Sequence, residues 1–294
     1  MFKGSFTALI TPFSDGRIDE KAFRALISRQ IECGTDGLVV CGTTGETATL
    51  SAAEYARAVS LCVETADGRV PVLAGTGSNC TAKTIETTRA AKAEGVDAAL
   101  IVTPFYNKPS QEGLYRHYAA VADAVDLPVV LYDVPSRTGV KLEIETIGRL
   151  AEIPSIVGIK DATNDITRPI DIRRATSDSF SILSGEDASV VAFLAHGGDG
   201  CISVTANVAP AECAALHDAW AAKDWETVAR LRDRLLPLHR AMFVEANPIP
   251  VKYACSLQGF GDGSLRLPLC GISEKGAALV RAAMETVLGD GYGR

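Results

Sequence analysis

A lysine stands near the middle of the chain, at a point where a buried strand would normally end in turn residues. Ile156, Val157 and Ile159 form a short β-branched apolar segment typical of a strand buried on both faces, and Lys160 follows it. The lysine either reaches water from a loop or holds its amine in a partly dry pocket. Desolvation disfavours the charged ammonium, and a neutral lysine amine can attack a ketone and form a Schiff base. The segment alone leaves both interpretations open.

Two other segments carry groups that suit a carboxylate. Residues 42–46, with the sequence GTTGE, combine two glycines that admit a close ligand with two hydroxyls and several backbone N–H groups, although an ordinary turn has the same composition. Residues 132–139 contain Tyr132, a candidate proton carrier, and Arg137, a candidate bidentate clamp for a carboxylate. Tyr106 lies in the segment 103–107, which follows another strand-like segment, and a tyrosine in such a loop usually serves packing.

Short apolar segments alternate with amphipathic helical patterns along most of the chain. The eight strand-like segments are residues 6–10, 37–40, 70–74, 98–102, 129–132, 156–159, 181–183 and 201–204. Helix start signals lie between them, for example at Asp19, Ser51 and Ser110. Parallel strands require crossover helices, and eight β/α units over about 220 residues are typical of a closed (β/α)8 barrel.

A doubly wound open sheet is the competing architecture. It would usually carry a G-x-G-x-x-G turn after its first strand, but Thr11, Pro12 and Phe13 occupy that position. The sequence therefore predicts an α/β fold with a TIM barrel over residues 1–223. The alternation then ends, and helical spacing predicts that residues 224–294 form an all-helical extension packed on the barrel.

Barrels of this type carry their active sites at the carboxyl ends of the strands. One rim that carries a lysine, an arginine and several tyrosines and threonines together is much less likely to arise by chance than a rim that carries any one of them alone. The sequence has no H-E-x-x-H motif, no paired His or Cys spacing and no nucleotide fingerprint, so we expect chemistry that needs neither a metal nor a nucleotide cofactor. The four histidines fall in helical patterns, and we expect them to lie away from this rim.

Composition argues against several other classes of protein. The chain has 294 residues, is 47% apolar and carries a net charge of −7 without a basic block, which disfavours nucleic-acid and membrane-surface partners. No apolar run approaches the roughly 20 residues of a membrane span, and no signal peptide is visible before the first strand-like segment. The eight cysteines are scattered without a C-x-x-C pair. These features predict a soluble, reduced, cytoplasmic protein.

Several of these segments together resemble the dihydrodipicolinate synthase family, and the resemblance covers nearly the whole chain. The matching motifs are ALITPF at 8–13, GTTGE at 42–46, VTPFYN at 102–107, YDVPSRTG at 132–139, GIKDAT at 158–163, ISVTAN at 202–207 and NPIPVK at 247–252. The lysine and glycine-threonine motifs also occur in the wider superfamily of pyruvate-dependent class I aldolases. The segment around Arg137 is more specific, because it points to the synthase branch.

The resemblance implies a reaction and the residues that perform it. The family condenses pyruvate with L-aspartate 4-semialdehyde, the committing step towards diaminopimelate and lysine. Lys160 would form the Schiff base. Tyr132 would carry protons to and from the substrate, helped by Thr43 and by Tyr106 of a neighbouring subunit.

The same resemblance implies how the two substrates bind and how subunits assemble. Thr44 and the backbone at Ile202 would bind pyruvate, and Arg137 would hold the carboxylate of the semialdehyde. Because Tyr106 would act in a neighbour's site, the smallest active unit would be a dimer. The family pattern suggests a homotetramer built from two such dimers.

Three other functions fit parts of the pattern. A sister aldolase acting on sialic acid or a keto-deoxy sugar would keep Lys160 and Tyr132 but need hydroxyl-binding residues in place of Arg137. A non-catalytic sensor on the same barrel would be expected to have lost the lysine or the tyrosine. The glycine-rich residues 197–200 suggest a phosphate-binding barrel enzyme, but they suit a helix stop and turn equally well, and we favour the turn.

Feedback-sensitive members of the family bind lysine at a subunit interface, and this chain departs from their pattern at three positions. Lys83 stands where that pattern has a glutamate, Ala52 where it has a histidine, and Phe105 where it has a tyrosine. The first change places two positive charges together, and the other two remove polar partners. The resemblance therefore predicts weak or absent inhibition by lysine.

Overall fold

The computed structural model describes residues 2–289. Its strands are β1 (Gly4–Ala8), β2 (Phe13–Ser14), β3 (Arg17–Ile18), β4 (Gly37–Val40), β5 (Val72–Gly75), β6 (Ala98–Val102), β7 (Val129–Asp133), β8 (Ile156–Asp161), β9 (Ser181–Ser184) and β10 (Gly200–Ser203). Its helices are α1 (Glu20–Glu32), α2 (Ala52–Ala66), α3 (Thr81–Ala93), α4 (Gln111–Ala124), α5 (Pro135–Thr138), α6 (Ile144–Ala151), α7 (Arg168–Ala175), α8 (Val190–Ala195), α9 (Pro210–Ala221), α10 (Trp225–Ala241), α11 (Ile249–Leu257) and α12 (Glu274–Leu288). Among these described helices, none has the length and apolar character needed to cross a membrane.

Eight of the strands form a closed parallel barrel, which confirms the predicted (β/α)8 fold. Their order around the barrel is β1-β10-β9-β8-β7-β6-β5-β4. The two remaining strands, β2 and β3, pair as a short antiparallel hairpin outside it. The barrel strands are almost entirely buried, as expected for parallel strands covered on both faces.

Two compact units make up the chain, and one of them carries the candidate lysine. It comprises Val72–Ile202 together with the residues before β1, and β5 to β9 pair in it as consecutive parallel neighbours. The register of this sheet places Tyr132 on β7 directly opposite Lys160 on β8. Side chains at such positions lie close together, so the pairing holds the two candidate residues next to each other.

The other unit comprises Gly4–Pro71 and the residues from Ser203 onward. In it β1 pairs with β4, and Phe6 lies opposite Gly37. A Cβ at Gly37 would come within 2.1 Å of the Phe6 ring, so only glycine fits there. Three helices, α10 to α12, follow the last barrel strand and α9. The division of the chain at residues 223 and 224 stays a prediction.

The helix start signals act as the sequence predicts. The Asp19 side chain accepts a hydrogen bond from the N–H of Ala22, and Ser51 forms a reciprocal capping box with Glu54. Ser110 likewise caps α4. These caps satisfy N–H groups that have no partner within the helix, which fixes where each helix begins.

Several strand ends differ from those predicted. β1 begins and ends two residues earlier than the apolar segment 6–10 suggests, and β8 continues through Lys160 to Asp161. β8 is longer because both polar residues stay in register with neighbouring strands. The Lys160 amine lies over the buried Tyr132 ring, and Asp161 forms an ion pair with the buried Arg168. The short helix α5 was not predicted, because four residues are too few to show a helical period.

Candidate active site

Lys160 and Tyr132 form a buried pair on neighbouring strands. The Lys160 Nζ lies 4.5 Å from the centroid of the Tyr132 ring. The two residues are only 7% and 8% exposed. The Lys160 amine therefore lies over an aromatic ring in a largely desolvated position. This arrangement places a nucleophilic nitrogen next to a phenol that can exchange a proton with it. This geometry favours the pocket interpretation of the lysine over the loop interpretation.

Gly185 provides space beside the lysine side chain. A Cβ at this position would lie 3.1 Å from the Lys160 Cε and 2.6 Å from the Cβ of Ala162. The Gly185 N–H also donates to the Asp161 carbonyl oxygen at 2.6 Å, which ties the turn after β9 to the end of β8. A larger residue would push the lysine away from its present position, so this glycine belongs to the site.

A buried arginine holds the ends of the two strands that carry the pair. Arg168, only 2% exposed, donates to the Asp133 carboxylate at 2.9 Å and lies 3.5 Å from the Asp161 carboxylate. These aspartates directly follow Tyr132 and Lys160 in the chain. Burial raises the pKa of Asp133 to about 6, while Arg168 favours its charged form. The cluster couples the strand ends through a charge-assisted hydrogen bond to Asp133 and an ion pair with Asp161.

The remaining predicted residues of this unit differ widely in exposure. Ile202 is fully buried on β10, whereas Arg137 is exposed on α5, one turn beyond the end of β7. Tyr106 is 89% exposed and has a φ of 74°, a backbone conformation that non-glycine residues rarely adopt. A large aromatic side chain in this position offers its ring to solvent or to another molecule.

The predicted carboxylate-binding segment, residues 42–46, lies in the other unit directly after β4. Thr44 is buried and Thr43 is half-buried. The Asn247 amide nitrogen donates to the Thr44 hydroxyl oxygen at 3.0 Å. A Cβ at Gly45 would lie 3.2 Å from the backbone of Cys41, so the glycine permits the tight path of this loop.

Glu46, the last residue of the segment, is held by one cation and one backbone N–H group from the C-terminal part of the chain. Its Oε1 accepts from the Lys252 ammonium at 2.6 Å, and both side chains are 1% exposed. Its Oε2 accepts from the Arg266 backbone N–H at 3.0 Å. Glu46 has a φ of 55°, so the fixed carboxylate also holds the loop in a left-handed conformation.

Two of the buried histidines form hydrogen bonds with threonine hydroxyl groups. His117 lies 3.0 Å from the Thr81 hydroxyl, and His239 lies 2.9 Å from the Thr205 hydroxyl. Burial lowers the pKa of His117 to about 4, which keeps that ring neutral at pH 7. Within residues 2–289, no three His, Cys, Asp or Glu side chains are grouped as ligands for a metal ion.

Three residues near the candidate groups were not assigned a role from the sequence. Asn247 begins the NPIPVK motif, but the motif alone does not reveal its contact with Thr44. Arg168 has no local pattern that marks it as buried, since arginine is usually exposed. Gly185 follows β9, where glycine is also typical of an ordinary turn.

Comparison with known proteins gives consistent matches over nearly the whole chain. Residues 1–287 match the dihydrodipicolinate synthetase family. A relative from Rhodospirillum centenum, named 4-hydroxy-tetrahydrodipicolinate synthase, is 56% identical over 97% of this chain and 98% of its own. The dihydrodipicolinate synthase of Acinetobacter baumannii, described as chloride-inhibited and complexed with pyruvate, superposes with a TM-score of 0.95, at 45% identity and over 98% and 99% of the two chains. The structure of dihydrodipicolinate synthase (DHDPS) from Cyanidioschyzon merolae with lysine bound gives a TM-score of 0.95, at 38% identity and over 98% of this chain and 99% of that chain.

Proposed function

Because the chain belongs to the dihydrodipicolinate synthetase family, we propose that its buried Lys160 forms a Schiff base with pyruvate for condensation with L-aspartate 4-semialdehyde. Its activity is that of a 4-hydroxy-tetrahydrodipicolinate synthase, a lyase of the diaminopimelate route to lysine. The observation that carries the chemistry is the position of the Lys160 amine, 4.5 Å from the ring of Tyr132.

The proposed reaction uses the amine as a covalent electron sink. The Lys160 amine adds to the pyruvate ketone, and loss of water leaves an iminium ion. The iminium withdraws electrons from the methyl carbon, which loses a proton to give an enamine. The enamine carbon then attacks the aldehyde carbon of the semialdehyde. The amino group of that substrate finally displaces the lysine, which closes the ring and frees the enzyme.

Tyr132 is the proposed proton carrier for these steps. Its ring already lies next to the amine, so its phenol can exchange protons with the forming and breaking bonds; such transfer typically contributes about 10²–10⁴-fold in rate. Following the family pattern, Thr43 and the Tyr106 of a neighbouring subunit extend this proton path. The tight turn at Gly45 and the left-handed backbone at Glu46 support a role for Thr44 in holding the pyruvate carboxylate, together with the backbone at Ile202.

A coupled assay tests the reaction directly. Purified enzyme with pyruvate and aspartate semialdehyde, followed through the next reductase of the route, is expected to give sustained turnover. Pyruvate with N-acetylmannosamine is expected to give none above background, because an arginine at position 137 suits a carboxylate rather than a sugar hydroxyl. Turnover with the sugar and none with the semialdehyde would assign the chain to the sister aldolases instead.

Tyr106 supports the proposal of an assembly in which neighbours complete each other's sites. Replacing it with phenylalanine is expected to lower turnover at least about tenfold while leaving pyruvate binding nearly unchanged, because only a hydroxyl in the proton path is lost. Tyr115→Phe serves as the matched control on α4. Sedimentation is expected to show a homotetramer, a dimer of dimers, and a fully active monomer would contradict the proposal.

Lysine is expected to inhibit this enzyme weakly or not at all. Lys83 and Phe105 are both exposed, so each is available to a ligand at an interface, but neither supplies the charge or hydroxyl that the sensitive pattern uses. The loss of one charge partner and the gain of a repulsive charge together reduce the binding free energy of lysine by several kcal/mol. Each loss of about 1.4 kcal/mol lowers the affinity tenfold. The measurement is enzyme activity titrated with L-lysine up to tens of millimolar. Half-inhibition below about 1 mM, which corresponds to a binding free energy of roughly −4 kcal/mol, would show the expectation to be wrong.

We also propose a reducing, cytoplasmic location. All eight cysteines lie in the described part of the chain, and none of them forms a disulfide bond there. Burial strongly raises the pKa of Cys41 and Cys62, which keeps them as unreactive thiols within the core. These features support cysteines that serve packing rather than disulfide bonding.

A further inference from the structure

Asn247 contacts a proposed pyruvate-binding residue although it lies far away in the sequence. Its amide nitrogen donates to the Thr44 hydroxyl oxygen at 3.0 Å, across a separation of 203 residues. Asn247 is 7% exposed and Thr44 is 3% exposed, so little water competes for this hydrogen bond. Both residues belong to the same compact unit.

The direction of this bond determines what the threonine can offer a ligand. A hydroxyl group has one proton to donate and two lone pairs that accept. Because the Asn247 NH₂ group can only donate, it occupies a lone pair of the Thr44 oxygen and leaves the hydroxyl proton for another acceptor. A carboxylate is an acceptor only, so this arrangement presents the polarity that a carboxylate requires.

The chain around Asn247 is anchored to the same loop at a second point. Asn247 lies just before α11, and Lys252 on that helix binds Glu46 at 2.6 Å. Arg266 also donates its backbone N–H to Glu46. The loop is therefore tied on both sides of Gly45 to the C-terminal part of the chain, which limits movement of the amide relative to the hydroxyl.

We propose that Asn247 is a positioning residue that fixes the Thr44 hydroxyl as a hydrogen-bond donor to the carboxylate of the 2-oxo acid substrate. This inference rests on the proposed role of Thr44 in binding pyruvate. It assigns to the first residue of the NPIPVK motif a specific part in substrate selection: a substrate must present an acceptor, not a donor, at this position.

The variant Asn247→Asp tests the polarity with almost no change in shape. Its carboxylate accepts the Thr44 proton, so the threonine turns its lone pairs towards the substrate carboxylate. The pyruvate concentration that gives half-maximal borohydride trapping is expected to rise roughly 10- to 100-fold, the value of a charge-assisted hydrogen bond. As the pH falls, the introduced carboxyl group gains a proton that it can donate to the Thr44 hydroxyl oxygen, as the amide does in the wild type. The half-saturating pyruvate concentration of the variant, divided by that of the wild type, should therefore approach one in acid. A ratio that is the same at every pH would contradict the proposal.

Combination with Thr44→Val separates this role from a structural one. Without a hydroxyl to orient, adding Asn247→Asp is expected to change half-saturation by less than about twofold. Asn247→Ala removes the donor without reversing the polarity, should give a smaller rise than Asn247→Asp, and serves if the latter does not fold. Asn164→Asp, at an exposed asparagine, controls for the added charge.

The outcomes distinguish this inference from the proposed function. If Thr44→Val loses pyruvate affinity while Asn247→Asp and Asn247→Ala do not, the positioning role is wrong and the proposed function stands. The positioning role is also wrong if the Asn247 variants change the half-saturating pyruvate concentration equally in the wild type and in Thr44→Val. If Thr44→Val itself leaves half-saturation unchanged, both the Thr44 role and the inference fail. Wild-type enzyme that cannot be trapped with pyruvate contradicts the proposed function itself.

Discussion

Replacing Lys160 with alanine is expected to abolish turnover, with a fall in kcat of at least about 10⁴-fold, because the covalent route through the imine is lost. Tyr132 and the substrate-binding groups would remain, but without an amine they have no electron sink to serve. The variant should also fail to form any borohydride-stable adduct with pyruvate. The measurement is steady-state turnover in the coupled assay together with the intact mass after reduction.

Lys160→Arg is the matched variant for this experiment. It retains a long cationic side chain beside the Tyr132 ring but cannot form a Schiff base, so it should be as inactive as the alanine variant. Lys141→Ala, at an exposed lysine, should retain wild-type turnover. Turnover by Lys160→Arg above about one per cent of wild type would show that the lysine acts through its charge and not as a nucleophile.

Replacing Arg137 with alanine is expected to impair the second half of the reaction selectively. The specificity constant for aspartate semialdehyde should fall about 100-fold, since the proposed bidentate contact between the Arg137 guanidinium and the substrate carboxylate would be lost. Pyruvate trapping at Lys160 should remain nearly intact, because Arg137 is exposed on α5 and not part of the buried pair.

Two further variants make this result interpretable. Arg137→Lys keeps the charge but loses the planar two-point geometry, so it should recover only part of the lost specificity constant. Arg116→Ala, at an exposed arginine on α4, should behave as wild type. Equal loss of trapping and of semialdehyde use in Arg137→Ala would place this arginine in the scaffold rather than in the substrate site.

The barrel and its caps could be predicted because local patterns determine them. Strands buried on both faces give continuous apolar segments, and the predicted segments 37–40 and 98–102 coincide with β4 and β6. Capping groups such as Ser51 and Glu54 lie within one turn of the groups they satisfy. Such short-range signals are present in the sequence itself.

The contacts that hold the candidate site could not be predicted, because they join distant parts of the chain. Asp133 and Arg168 are 35 residues apart, and Thr44 and Asn247 are 203 apart. A charged side chain such as Arg168 is normally assigned to the surface, and only the packed structure shows that two aspartates compensate its burial. The end of β8 was misplaced for the same reason, since its polar residues have buried partners.

The central claim, that Lys160 is the residue that carries pyruvate, is tested most directly by reduction of the wild-type enzyme with borohydride in the presence of pyruvate. Peptide mapping by mass spectrometry then locates the adduct. We expect one pyruvate-derived group per chain, on the peptide that contains Lys160, and its loss when pyruvate is omitted. An adduct on Lys108 or Lys252 instead, or an active enzyme that yields no adduct at all, would contradict the claim.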